Sequence, residues 1–186
     1  MTMVVVGIAG MPGAGKATFN ELAKRRGFTV VVMGDEIREE TLRRGLKPTP
    51  ENIGKIMLQL REEKGPAVVA KRCIPRISIA KGKIVIVDGI RSLHEIDEFK
   101  RQFPNFIFIA VHSSPETRFQ RLFRRKRSDD PKGWRNFLER DQRELDVGLG
   151  NAIAVADYLV VNEGTKEEFR MKIGQVLEAA LKRWMK

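Results

Sequence analysis

A three-layer α/β fold is predicted by three features of the sequence. Five short apolar runs are separated by stretches of helical period, and a glycine-dense loop follows the first run directly. The runs are apolar throughout instead of alternating, which is how strands buried on both faces read. The sheet is therefore expected to be a five-stranded parallel one covered by helices. A length of 186 residues with 42% hydrophobic content suits one domain over residues 1–186 with a substantial core.

The first run, Met3 to Val6, leads into GIAGMPGAGKATF. Gly10, Gly15 and Lys16 satisfy the GxxxxGK spacing of a phosphate-binding P-loop, with Met11, Pro12, Gly13 and Ala14 between them. Small residues let successive backbone N–H groups turn inward around an anion, and the helix starting at Lys16 adds its unpaired N–H groups and positive dipole end. Lys16 is then placed to reach the β and γ phosphates. The motif continues with Ser or Thr, whose hydroxyl ligates Mg²⁺, but here Ala17 stands in that position. Either a retained water fills the ion's coordination or turnover is weak. Thr18, one residue on, is placed for a hydroxyl contact to a more distal phosphate.

The first helix runs from Lys16 to Arg26, with Phe19, Leu22 and Ala23 inward, and Gly27 ends it. Phe28 to Met33 is the second strand. Asp35 caps a helix from Glu36 to Arg44, and Arg38 lies one turn beyond it, so carboxylate and guanidinium share a face. Ligands of open parallel sheets bind beyond the carboxyl ends of the strands, where both residues fall. Thr49-Pro50 starts a third helix reaching about Lys64. A fourth, Ala67 to Ala80, contains Pro75 and should be kinked or interrupted there.

Lys83 to Val87 is the third strand, and Asp88 at its end has the position from which a carboxylate holds Mg²⁺ through water. Arg91 follows within reach of an acceptor's phosphate, and Ser92 with Glu95 forms a capping box. His94 has no metal-ligand partner at a suitable spacing and reads as structural. Phe106 to His112 is the fourth strand. Ser114-Pro115 then opens a helix bearing Arg118, Arg121, Arg124, Arg125, Lys126 and Arg127. So dense a run of cations repels itself unless anions come to it. With the loop Ser128 to Pro131 and the next helix, it reads either as a lid closing over phosphates or as a solvated or nucleic-acid-binding face. Gly148 and Gly150 make a flexible joint, and Asp157 to Val161 is the fifth strand. Thr165 with Glu168 caps a last helix whose stripe includes Phe169, Ile173, Leu177 and Trp184.

The net charge of +11 attracts polyanions, and nucleotides, coenzyme phosphates and nucleic acid all qualify. Apart from Phe119 and Phe123, aromatic residues are not interleaved with the basic ones in the pattern single-strand binders use, so nucleic acid is not the favoured partner. No apolar run approaches the roughly 18 residues of a membrane span, and no secretory leader is evident. The single cysteine, Cys73, excludes an internal disulfide and reads as a buried apolar side chain, so a cytoplasmic location is expected.

The segments GMPGAGKAT, GDEIRE, DGIRS, HSSPETRFQRLFRR with RSDDP, and ADYLVVNEGT together resemble the archaeal group of small P-loop ATPases related to adenylate kinase and dephospho-coenzyme A kinase. The likeness covers nearly the whole chain. It implies the nucleoside monophosphate kinase-like P-loop fold, with sheet order 2-3-1-4-5, an acceptor-binding helical segment over about 35–80 and a lid over about 118–134. In adenylate kinases a GDxxR segment places its arginine on the acceptor's phosphate, which Gly34, Asp35 and Arg38 match. DGIRS departs from the kinases' DGxPR, with Arg91 one residue early and no proline. ADYLVVNEGT is similar to the end of dephospho-coenzyme A kinases, where the loop lies against the nucleotide base, implying Asn162 and Gly164.

The expected function is phosphoryl transfer from ATP to a nucleotide or a dephospho-coenzyme A-like acceptor. ATP would sit on Gly10 to Thr18, with Mg²⁺ held through Asp88 and water. Lys16 and the lid arginines Arg121 and Arg125 would stabilise the transferring group. Asp35 would serve as base for a hydroxyl acceptor or Arg38 as clamp for a phosphate one, with Arg91 nearby. Two other functions compete: a nucleotide-responsive regulatory module of weak turnover, on account of Ala17, and a nucleic-acid-binding protein.

Overall fold

Five strands form one parallel sheet: β1 (Val4–Ala9), β2 (Thr29–Val32), β3 (Ile84–Asp88), β4 (Phe106–His112) and β5 (Tyr158–Val161), in the order β2-β3-β1-β4-β5. This is the 2-3-1-4-5 order that the family resemblance implies. The computed structural model describes residues 3–126 and 130–182, so Arg127, Ser128, Asp129 and Trp184 lie outside the described residues.

The helices are α1 (Lys16–Arg25), α2 (Met33–Arg43), α3 (Pro50–Lys64), α4 (Val68–Ser78), α5 (Leu93–Gln102), α6 (Pro115–Arg125), α7 (Trp134–Asp146), α8 (Leu149–Ala154) and α9 (Lys166–Lys182). They cover the sheet as two layers. Because strand side chains alternate between faces, Val4, Val6, Ile8 and Ile86 enter one core with Phe19 of α1 and Phe169, Ile173 and Leu177 of α9. Val5, Val85 and Val87 enter the other, with Ile56 of α3, Cys73 of α4, Phe99 of α5 and Leu149 of α8. Each fully buried Val, Ile, Leu or Phe contributes about 1.5–3 kcal/mol. That is why the unbroken apolar runs settle in the middle layer. Cys73 is buried as expected, and desolvation pushes its thiol up to about 12.

The ladder also brings polar residues to one rim. Ile8 and Val32 both pair with Asp88, and Ala9 pairs with Ala110, so β1, β2 and β3 end side by side. The chain leaves β1 into the glycine loop, β2 into α2, and β3 at Asp88.

Several boundaries differ from expectation. β1 continues through Gly7 and Ile8 to Ala9, because neighbours on both sides extend its ladder. α2 begins at Met33 with Val32 at its cap, so Asp35 is not a cap but part of the first turn; buried Met33 and Ile37 pull the helix start back by one turn. α4 runs uninterrupted through Pro75, since burial of Cys73 and Ile77 holds the helix on either side of it. Where Gly148 and Gly150 are expected to make a flexible joint, the chain instead forms α8. Gly148 at φ +105 is its N-cap, and Leu149 and Ala152 anchor it to the core. The Thr165–Glu168 box is present in both directions, at 3.2 and 2.9 Å. In the other box Glu95 N–H donates to Ser92 Oγ at 3.3 Å, but the Glu95 carboxylate is taken by Arg61 and by the Arg91 N–H.

Candidate functional site

The loop between β1 and α1 curls because Gly10, Gly13 and Gly15 all adopt positive φ. A side chain at Gly13 would lie 2.8 Å from the Arg118 carbonyl oxygen, and one at Gly15 would collide with the Asn162 amide, so the curl has no room for one. Lys16 opens α1, and its Nζ donates to the Gly10 carbonyl at 2.5 Å and lies 3.4 Å from that of Met11. Burial pushes the Lys16 ammonium below its usual range, and the Asp88 carboxylate opposes that shift.

The loop opens into a cleft of about 720 Å³. Gly10, Pro12, Gly13, Gly15, Lys16 and Ala17 form one end, with Asp88 beside them. Asp35, Arg38 and Arg91 line the same cleft, and Arg121 and Arg125 reach it from α6. Asp35 accepts from Arg38 at 2.5 Å, with both side chains about half exposed.

Other expected residues serve the loop from behind. Asn162, only 6% exposed, donates to the Ala14 carbonyl at 2.8 Å and accepts from Arg121, so its amide is used in holding the loop and does not face the cleft. Gly164, Met11, Ala14 and Thr18 likewise do not line it. Arg118 is the clearest departure from the expected lid face. It is 3% exposed, forms a two-pronged ion pair with Asp141 of α7, stacks 5.0 Å above Phe137, and donates to the carbonyls of Pro12 and Ser113. It ties α6 and α7 to the loop instead of facing an anion. Arg125 pairs with Asp130, and Arg121 donates to Ser113 Oγ at 2.9 Å. His94 is exposed on α5, away from this cleft.

Asp88 and Asn20 form a further buried contact. Asn20 Nδ2 donates to Asp88 Oδ2 at 2.5 Å, while Asp88 Oδ1 and Asn20 Oδ1 are buried without a hydrogen-bond partner. An acceptor left so is destabilising by about 1–3 kcal/mol, and two adjacent oxygen acceptors of this kind fit a hard cation or its bound water.

Sequence reasoning missed Asn20, Glu21, Lys24 and Glu144 on the cleft wall, which Arg140 of α7 also lines. Lys16, Asn20 and Lys24 are spaced by four on α1, a signal that was available once Lys16 was placed. Glu144 accepts from Arg91 Nε at 2.7 Å across 53 residues of sequence, which no local pattern reveals. Burial of the Glu144 carboxyl works to raise its pKa, but Arg91, then Lys16 and Arg140, outweigh it and hold it below the usual carboxylate range. Such a group contributes stability above the unfolded pKa and loses it as pH falls through the folded one. Glu144→Gln is therefore expected to cost about 1–3 kcal/mol at neutral pH. The gap in melting temperature from the parent chain should begin to narrow as pH falls past the free carboxylate's value of about 4.3 and close only once pH is below the depressed folded value, a comparison thermal melts over a pH series will make.

Residues 9–136 match the AAA domain family. A UPF0200 protein of Pyrococcus horikoshii is 45% identical over 185 residues, covering 97% of this chain and 100% of that protein. Another, from Methanocaldococcus jannaschii, is 46% identical over 181 residues, covering 96% and 91%. The chain belongs to the UPF0200 family. Among solved structures, this UPF0200 chain is similar in fold to TT1252 from Thermus thermophilus, with a TM-score of 0.68 and 19% identity over the whole of both chains. It is also similar to a shikimate kinase from Acinetobacter baumannii in complex with shikimate, at TM-score 0.63 and 19% identity over 100% and 97%. The UPF0200 chain therefore has a P-loop kinase-like fold. No helix among its described residues is long and apolar enough to cross a membrane.

Proposed function

We propose that this chain is a phosphotransferase that moves the γ-phosphoryl group of ATP to a phosphorylated small molecule, a nucleotide or a dephospho-coenzyme A-like acceptor. One observation carries the reading: the glycine loop with Lys16 and the residues Asp35, Arg38 and Arg91 open into a single cleft of about 720 Å³. That volume is within the range of small-molecule sites. The similarity in fold to a kinase of a small molecule supports the same class.

In this reading the loop amides and Lys16 hold the β and γ phosphates. Asp88, with its unpartnered Oδ1, is the carboxylate that would hold the water of a Mg²⁺ ion, which when bound would supply charge neutralisation to the phosphates. An acceptor oxygen attacks the γ phosphorus, the bond to the β–γ bridging oxygen breaks, and ADP leaves with those electrons. Residues 35–80 hold the acceptor, and Arg121 and Arg125 of α6, which line the cleft, meet the transferring group. With a hydroxyl acceptor the Asp35 carboxylate takes the released proton and Arg38 turns to the acceptor's phosphate. A phosphate acceptor needs only the arginine.

Nucleoside monophosphates and dephospho-coenzyme A, tried in turn, should include one that raises ATP turnover well above that of the protein alone. With it, Arg38→Ala should raise the acceptor's KM, and Asp35→Asn should lower kcat by about 10²–10⁴-fold if the acceptor is a hydroxyl. A flat response across the panel would defeat the proposal. Ala17, lining the cleft without an oxygen, favours a second reading as a regulatory module of slow turnover. A large rise in Mg²⁺-dependent turnover with Ala17→Ser would support that reading, and unchanged kinetics would remove its motive.

A further inference from the structure

We propose that Asn20 replaces the missing hydroxyl at position 17. Its side-chain carbonyl and the free oxygen of Asp88 together receive the water shell of the divalent cation that accompanies the nucleotide. This rests on the reading of the cleft as a nucleotide site and adds the residue that completes it.

Ala17 and Asn20 are three residues apart on α1, hence on one face of the helix, and both line the cleft. The Asn20 amide has only one workable orientation. Its NH₂ must face the Asp88 carboxylate, since a carbonyl oxygen there would meet like partial charge, and Nδ2 does donate to Asp88 Oδ2 at 2.5 Å. Asp88 thereby fixes Asn20 Oδ1 as an acceptor. That atom and Asp88 Oδ1 are the two buried oxygens at this spot with no hydrogen-bond partner among the described residues. A cation that keeps several waters presents several O–H donors to such a pair, and Mg²⁺ sheds its water reluctantly. The usual arrangement reaches the ion with a short hydroxyl at the top of the helix. Here a longer amide one turn below lines the same cleft, braced by the carboxylate it serves.

The test is calorimetric, using a non-hydrolysable ATP analogue with and without Mg²⁺, so that binding is read without turnover. The parent chain should bind the analogue at least tenfold more tightly with Mg²⁺. Asn20→Ala should lose most of that gain while binding the metal-free analogue as the parent does. Adding Ala17→Ser to Asn20→Ala should restore it, which also shows that the single variant folds. Manganese, followed by its electron paramagnetic resonance with the analogue bound, should show a changed ligand environment in Asn20→Ala. An Mg²⁺ gain in Asn20→Ala equal to the parent's would overturn the inference, as would no gain in the parent itself. A parent chain that binds no analogue at all would overturn the nucleotide reading and this inference with it.

Discussion

Lys16→Met is expected to lower turnover by about 10²–10³-fold while leaving the protein folded. The ammonium lies inside the glycine loop, 2.5 Å from the Gly10 carbonyl, and in the proposed reaction it is the loop cation that meets charge developing on the transferring phosphoryl. Donors aimed at such charge in a water-poor site are commonly worth this much in rate. The stability effect has the opposite sign. Burial disfavours the charged form of Lys16, so an isosteric apolar side chain relieves that cost and the variant should melt no lower than the parent. Turnover assays with the acceptor found above, together with thermal melts, check both halves. Retained turnover would remove Lys16 from the chemistry.

Arg118→Ala should have the largest effect on stability. The guanidinium is 3% exposed and meets Asp141, the carbonyls of Pro12 and Ser113, and the Phe137 ring, so truncation strands a buried carboxylate and two loop carbonyls at once. Breaking one side of a buried pair costs about 3–5 kcal/mol. At about 2–4 °C per kcal/mol for a chain of this size, the melting temperature should fall by roughly 6–20 °C. The double change Arg118→Met with Asp141→Leu should recover much of that loss, because both charges leave together. Melts of the two variants decide it. If the double variant were no more stable than the single, the loop carbonyls and not Asp141 would be the larger partner.

The sheet was legible because it depends on composition alone: runs such as KIVIV and FIFIAV can satisfy both faces only in a middle layer. The glycine loop was legible because its spacing is local. Arg118 was misread because its neighbours Arg124 and Arg125 made a cationic run, whereas its burial depends on Asp141 and Phe137, which arrive from another helix. Asn162 was placed on the cleft by its loop, but its amide supports the loop from beneath. The Arg91–Glu144 contact was hidden for the same reason as the Asp141 pair: partners far apart in the chain leave no periodic trace. Helix starts failed where a buried side chain such as Met33 outranked a good capping residue.

The alternation along β3 has a consequence for how this site can change. Ile86 points toward the α1 side of the sheet and Val85 and Val87 toward the other, so Asp88, two residues after Ile86, shares its parity and emerges next to Asn20. Deleting or inserting one residue in β3 would invert that parity and turn the carboxylate toward the α4 and α5 layer, separating it from the loop in a single step. Point replacements in either core only loosen the packing. Lineages of this chain are therefore free to drift in which apolar residues fill the strand, and are bound in how many there are.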